Sequence, residues 1–177
     1  MYTAQSTYTK TAFKAIKEFL KTGTTRFIEN QEIPKELLIK AACFVTLKTD
    51  TNKLRGCIGT LNPVYRNLYT EIIKNAVASA VRDYRFTPLT LNELKKIKLS
   101  VEVLYPPEEI DDLSLLNPKI YGAIISDNAG NRGVLLPNIE GIDTVEEQIK
   151  IIKRKAGIFQ TSNEGLIFHR FKTDKYY

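Results

Sequence analysis

Leu54-Arg55-Gly56-Cys57-Ile58-Gly59-Thr60 is the stretch of this chain best equipped for chemistry. It sets a guanidinium and one of only two thiols two residues apart, with glycines on either side of the sulfur. In a strand, successive side chains alternate, so Arg55 and Cys57 share a face. A cation beside a sulfur favours the thiolate, the form that attacks electrophiles or binds metals. Cys57 is therefore the candidate catalytic residue, and Arg55, Gly56, Gly59 and Thr60 form a candidate ligand-binding segment. The competing reading is structural, because free cysteine is among the residue types most often buried. No histidine stands beside Cys57 to act as a base, which weighs against covalent catalysis and toward anion binding by Arg55 and exposed backbone groups.

Further candidates lie on the elements that must position this stretch. Glu71 and Asn75 are one helical turn apart on a single face. If that face meets the 54–60 segment, Glu71 supplies the counter-charge of Arg55; if it meets water, both are ordinary surface residues. Asp83 and Arg85 either orient a ligand or fix the turn before Pro88, and the second reading is favoured because charges near helix ends act locally. Arg132 and Lys155 bring positive charge from the second half of the chain, although Lys155 also suits the carbonyl end of a helix. Cys43 is the weakest candidate, since its face relative to Cys57 depends on the parity of the intervening turn.

Composition narrows the function classes. With 177 residues, 43% of them hydrophobic, the chain makes one compact domain or two small lobes. No window approaches the ~18 consecutive apolar residues of a membrane span. The opening Met1-Tyr2-Thr3-Ala4-Gln5-Ser6-Thr7 lacks the apolar core of a secretory signal, so the expectation is a soluble cytoplasmic protein. Two cysteines and one histidine cannot fill a four-ligand Cys/His zinc site, and a cytosolic chain keeps its thiols reduced. Neither a metal site nor a disulfide is expected, and no pattern identifies a cofactor. The net charge of +6 is spread among acidic residues, with one dense cluster at residues 150–155, which argues against nucleic acid as a partner.

Ala12, Phe13, Ile16, Phe19 and Leu20 follow helical spacing, and Gly23 stops that helix. Pro34 opens a short second helix through Leu37 and Leu38. Residues 43–48 and 54–60 read as the strands of a hairpin around a turn at 49–52. Asn62 and Pro63 supply the cap and first position of a helix running to Asp83. Thr90 with Glu93 is a capping box, and residues 99–105 form a strand that Pro106 and Pro107 end. The second half repeats the order: strands at 121–126 and 132–136, a capping box at Thr144 and Glu147, an apolar helical stripe ending at Gly157, and a last strand at 165–171. Arg55-Gly56-Cys57-Ile58 lies over Arg132-Gly133-Val134-Leu135 without a gap. An internal duplication of a strand-strand-helix-strand unit follows, with halves at about 41–106 and 119–172.

Several landmarks now stand in order: Phe44-Val45-Thr46-Leu47-Lys48, the 54–60 segment, Glu71 with Asn75, and Asp83-Tyr84-Arg85-Phe86-Thr87-Pro88-Leu89. They continue through Tyr121-Gly122, Leu135-Leu136-Pro137, Gly141-Ile142-Asp143-Thr144-Val145-Glu146-Glu147-Gln148 and Lys155-Ala156-Gly157. Over nearly its whole length the chain resembles the AMMECR domain family, whose signature is Leu54 to Gly59. The resemblance implies a single domain over residues 1–177, of α+β fold, with antiparallel sheets, packed helices and two unequal lobes, the larger using both termini. It also implies that the signature side chains are directed at the inter-lobe interface, a common setting for ligands. Prokaryotic relatives are associated with a Memo-type, dioxygenase-like protein and a radical S-adenosylmethionine protein, which implies a shared pathway or complex. Tyr84 departs from the proline usual at its place, and His169 gains no catalytic support from the resemblance.

Three functional readings follow. The leading one is a pathway component that binds an anionic small molecule or a modified peptide at an inter-lobe cleft carrying the Leu-Arg-Gly-Cys-Ile-Gly motif. The others are a cysteine-dependent transferase-like or hydrolase-like enzyme, and a non-catalytic protein-interaction module.

Overall fold

The computed structural model describes residues 4–177 and divides into two compact units. The first three residues of the opening segment, read above for a leader, lie outside the described residues. One unit holds the chain up to Leu104 together with Asp174–Tyr177; the other is Tyr105–Thr173.

In the first unit, α1 (Thr7–Thr22) starts where Ser6 accepts the Thr9 N–H and ends at Gly23, whose φ of 74° is the left-handed conformation that glycine adopts without steric cost. A short helix α2 (Arg26–Glu29) follows. The helix expected from Pro34 is a single 3₁₀ turn at Lys35–Leu37, because Pro34 stays extended (ψ 137°). Strands β1 (Ala42–Lys48) and β2 (Leu54–Gly59) form the hairpin, with Val45 opposite Ile58 and Thr46 opposite Cys57. That register settles the parity: Cys43, Val45 and Leu47 enter the apolar core, and Cys57 lies with Thr46 on the opposite face.

Helix α3 (Leu68–Val81) begins later than the sequence suggests. Its cap is Asn67, which accepts the Thr70 N–H, while residues 60–66 form a loop. The capping box at Thr90 and Glu93 is complete and opens α4 (Leu91–Leu94). Strand β3 (Lys98–Leu104) then runs antiparallel to β1.

The second unit contains β4 (Glu108–Ile110), β5 (Gly122–Asp127), β6 (Arg132–Leu135), α5 (Val145–Ala156) and β7 (Leu166–Phe171). Its own core includes Ile125, Ile152 and Phe168. The Thr144–Glu147 capping box and Gly157 (φ 73°) bound α5 as the sequence indicates. A last strand, β8 (Thr173–Tyr176), lies beyond the strand that the sequence pattern predicts at 165–171; it joins the first unit's sheet beside β3, and the Tyr176 ring stacks on Tyr8 at 3.7 Å.

The sheet orders are β2-β1-β3-β8 and β4-β7-β5-β6, so the two units share one plan. In each, the first hairpin strand is flanked by its partner and by the strand after the helix. The paired glycines have one job. A Cβ on Gly56 would lie 2.1 Å from the Ser79 carbonyl oxygen, and one on Gly133 would lie 2.3 Å from that of Ile152. Each glycine lets a helix backbone close onto its hairpin. The fold is α+β with two antiparallel sheets, unequal units and a repeated strand-strand-helix-strand plan.

Candidate functional site

Strand β2 is an edge strand, and its outer side is completed by the turn after α3. Asp83 Oδ2 accepts the Cys57 N–H at 2.9 Å, and Arg85 Nη2 donates to the Cys57 carbonyl at 3.3 Å. Arg85 also holds Asp83, donating from Nε to Oδ1 at 2.9 Å and from Nη2 to Oδ2 at 2.7 Å. The turn itself is tied by the Arg85 N–H to Asp83 Oδ1 and by the Phe86 N–H to the Asp83 carbonyl, with Tyr84 exposed at its tip. Asp83 is buried, and the Arg85 guanidinium and the Cys57 amide hold its carboxyl well below the usual carboxylate range.

Arg55 is the extra residue of a bulge in β2, since Leu47 pairs with Gly56 and Lys48 with Leu54, and the plain alternation that set Arg55 and Cys57 on one face is interrupted there. The Arg55 side chain is 12% exposed and reaches Glu93, with Nε and Nη2 donating to the same oxygen, Oε1, at 3.2 and 3.1 Å. The other Glu93 oxygen accepts the Thr90 N–H and hydroxyl, so one carboxylate caps α4 and fixes the guanidinium together. These bonds hold the Glu93 carboxyl below its ordinary range. The Phe86 ring has Arg55 at 5.9 Å and Arg85 at 5.5 Å from its centroid, within cation–π range. Arg55 Nη1 is buried with no hydrogen-bond partner among the described residues. Cys57 is half-buried, and its sulfur is 3.3 Å from the Thr46 hydroxyl.

The other sequence candidates are placed differently. Glu71 is fully buried and takes the Thr60 hydroxyl and the N–H groups of Val64 and Tyr65, which pins the loop after β2. The counter-charge of Arg55 is Glu93, not Glu71, because Glu71 stands on the first turn of α3 and is used by Thr60, Val64 and Tyr65 at the other end of β2. Asn75 donates to the Cys43 carbonyl at 3.0 Å. Cys43 is sealed in the core, where burial pushes its thiol up to about 12. Gly59 abuts the Phe44 ring. Arg132 and Lys155 belong to the second unit; Arg132 is exposed, and Lys155 Nζ donates to the Val134 carbonyl at 2.7 Å. His169 also lies in that unit, with Glu109 4.0 Å from its Nε2.

Sequence reasoning missed Glu93, Phe86 and Thr46 as neighbours of the signature. The capping box located Glu93 on a first helical turn, but nothing local shows where its second oxygen points. Chemically, the arrangement offers a fixed guanidinium, an aromatic face and a half-buried thiol. Among the described residues, no group of three or more His, Cys, Asp or Glu side chains is arranged to hold a metal ion, and no helix is long and apolar enough to cross a membrane.

The crystal structure of an uncharacterized protein from Pyrococcus horikoshii superposes with a TM-score of 0.79 at 32% identity, covering 95% of this chain and 88% of that one. A Thermotoga maritima protein is 44% identical over 171 residues, 96% of each chain. A Clostridium acetobutylicum protein is 38% identical over 96% of this chain, which spans 35% of that longer protein. Residues 9–176 match the AMMECR1 family, and with relatives of this identity covering almost its full length, the chain belongs to that family.

Proposed function

We propose that this protein is a ligand-binding component of a multi-protein pathway, taking an anionic small molecule or a modified peptide beside the Arg55–Cys57 segment of β2. The observation that carries the reading is Arg55: a guanidinium fixed by Glu93, stacked toward Phe86, and left with a buried Nη1 that has no partner among the described residues. The Arg55 side chain is 12% exposed and already oriented by Glu93, so a charge-assisted hydrogen bond to an anion forms with little further ordering. Half-buried Cys57 and the two guanidiniums beside Phe86 suit a ligand with one negative group and one planar or apolar part.

The pathway partners we propose are a Memo-type, dioxygenase-like protein and a radical S-adenosylmethionine protein, in the cytoplasm. The Clostridium relative is longer, with this domain matching 35% of it, so the domain also occurs joined to further sequence. Unpaired Cys43 and Cys57 suit a reducing compartment.

Ligand capture from a cell metabolite pool, read by mass spectrometry, tests the site. Native protein is expected to retain an anionic compound that Arg55→Gln loses and Arg132→Ala keeps, with melting curves confirming that both variants fold. Equal capture by folded Arg55→Gln overturns the assignment. Co-purification with the two proposed partners, retained by Cys57→Ser, is the accompanying check on the pathway.

A further inference from the structure

The second unit carries a recess walled by its own residues and remote in sequence from the signature strand. Val145 and Ile149 of α5 line it together with Leu113, Ile158 and Phe159, around a volume of about 760 Å³. Mostly apolar clefts of ~300–1,000 Å³ with a few polar groups are typical small-molecule sites. The loop that forms one wall is fixed from within. Lys153, 7% exposed, donates to the carbonyls of Gln160 at 3.4 Å, Thr161 at 3.2 Å and Ser162 at 2.8 Å. The Ile158 N–H adds a bond to the Lys153 carbonyl at 2.9 Å. Phe159, 88% exposed, stands at the mouth as apolar surface in water.

The charge around this recess is one-sided. Lys150 and Arg154 lie one turn apart on α5, Lys153 sits within, and Glu146 is the single acid among the lining residues. None of the three cations has a carboxylate partner among the described residues. Burial also pushes the Lys153 ammonium below its ordinary range. A buried cation held only by neutral carbonyls gains from a nearby anion.

We propose that this recess binds an amphipathic organic anion, with its apolar chain against Ile149, Ile158 and Phe159 and its carboxylate beside Lys150 and Arg154. An uncharged apolar ligand leaves the cations without a counter-charge, and a small inorganic anion leaves the apolar walls wet. The recessed shape and the internally tied wall favour a small ligand over a flat protein surface. The proposal is independent of the reading of the Arg55–Cys57 segment.

The test is a titration of the full, isotope-labelled chain with decanoate and with decanol, followed by amide chemical shifts. Decanoate is expected to shift residues of α5 and of the 158–163 loop, with decanol binding about tenfold more weakly for want of the charge. The double variant Lys150→Glu with Arg154→Glu should weaken decanoate about tenfold and leave decanol unchanged. Phe159→Ala, at an exposed position, should weaken both without altering the melting curve, and Arg55→Gln should alter neither. Absence of shifts at saturating decanoate, shifts elsewhere in the chain, or equal affinity for the two probes overturns the proposal. So does a concentration-dependent dimer abolished by Phe159→Ala, which gives the recess to a second copy of the chain.

Discussion

Asp83 accepts the backbone N–H of Cys57 at 2.9 Å, so a carboxylate takes the place of a neighbouring strand at the outer edge of β2. Arg85 completes the substitution by donating to the Cys57 carbonyl. An exposed strand edge is a template for unwanted pairing, and covering it with a charged turn removes that hazard. The second unit has a parallel device: β6 is also an edge strand, and Lys155 donates to the carbonyl of Val134, the residue that aligns with Cys57. The signature cysteine thus marks a backbone position clamped in both units, and only the first unit carries a sulfur there.

Breaking that clamp has a defined pH signature. The Asp83 carboxyl is held below its unfolded value of about 3.9, so its stabilising contribution is complete above that pH and is lost as pH falls toward the folded value. Asp83→Ala is expected to cost about 2–4 kcal/mol near neutral pH, since it removes a buried charge that satisfies both an amide and a guanidinium. In urea unfolding, the difference between native protein and Asp83→Asn should shrink from about pH 5 to about pH 2. A difference that does not change with pH contradicts this role.

Gly56→Ala and Gly133→Ala should each destabilise by about 3 kcal/mol or more, because the added methyl would meet a helix carbonyl rather than a flexible side chain. Alanine at Gly130, where nothing lies within 4 Å but φ is 87°, carries only the conformational cost of about 1 kcal/mol. Chemical denaturation of the three variants separates close approach from backbone strain.

Local chemistry explains what was readable in the sequence. Gly23, the Thr90–Glu93 box and the Thr144–Glu147 box announce helix ends through contacts within a few residues, and the residue pattern at 43–48 and 99–105 marks strands, although β3 is buried on both faces. Other features depend on distant partners. Asn62 and Asn67 are equally good caps by type; Asn67 wins because Glu71 draws the Val64 and Tyr65 N–H groups into a loop. Thr173-Asp174-Lys175-Tyr176 has no apolar alternation and becomes a strand only beside β3. The signature's place in the hairpin was legible, but the Arg55–Glu93 pair, 38 residues apart, was not.

Glu71 is the peg of the loop after β2, and removing it should loosen that loop before it affects the sheet. Glu71→Ala leaves the Val64 and Tyr65 N–H groups and the Thr60 hydroxyl without their acceptor, at a cost of about 2–4 kcal/mol. Arg66 is exposed in that loop, so limited trypsin digestion should cleave there faster in the variant. Unchanged cleavage at Arg66 would show that the loop is held by something else.

The two thiols should differ sharply toward an alkylating agent. Cys57 is half-buried on the face opposite the core, while Cys43 has no exposed surface and its thiol is pushed up to about 12 by burial. Iodoacetamide should therefore modify Cys57 in the native chain at least about a hundredfold faster than Cys43, whose reaction waits on opening of the core. Peptide mass spectrometry over time distinguishes the two sites, and urea should bring their rates together by exposing both. Comparable native rates would mean that the sheet opens at β1 or that Cys57 is sealed, and a sealed Cys57 would remove the thiol from the proposed binding face.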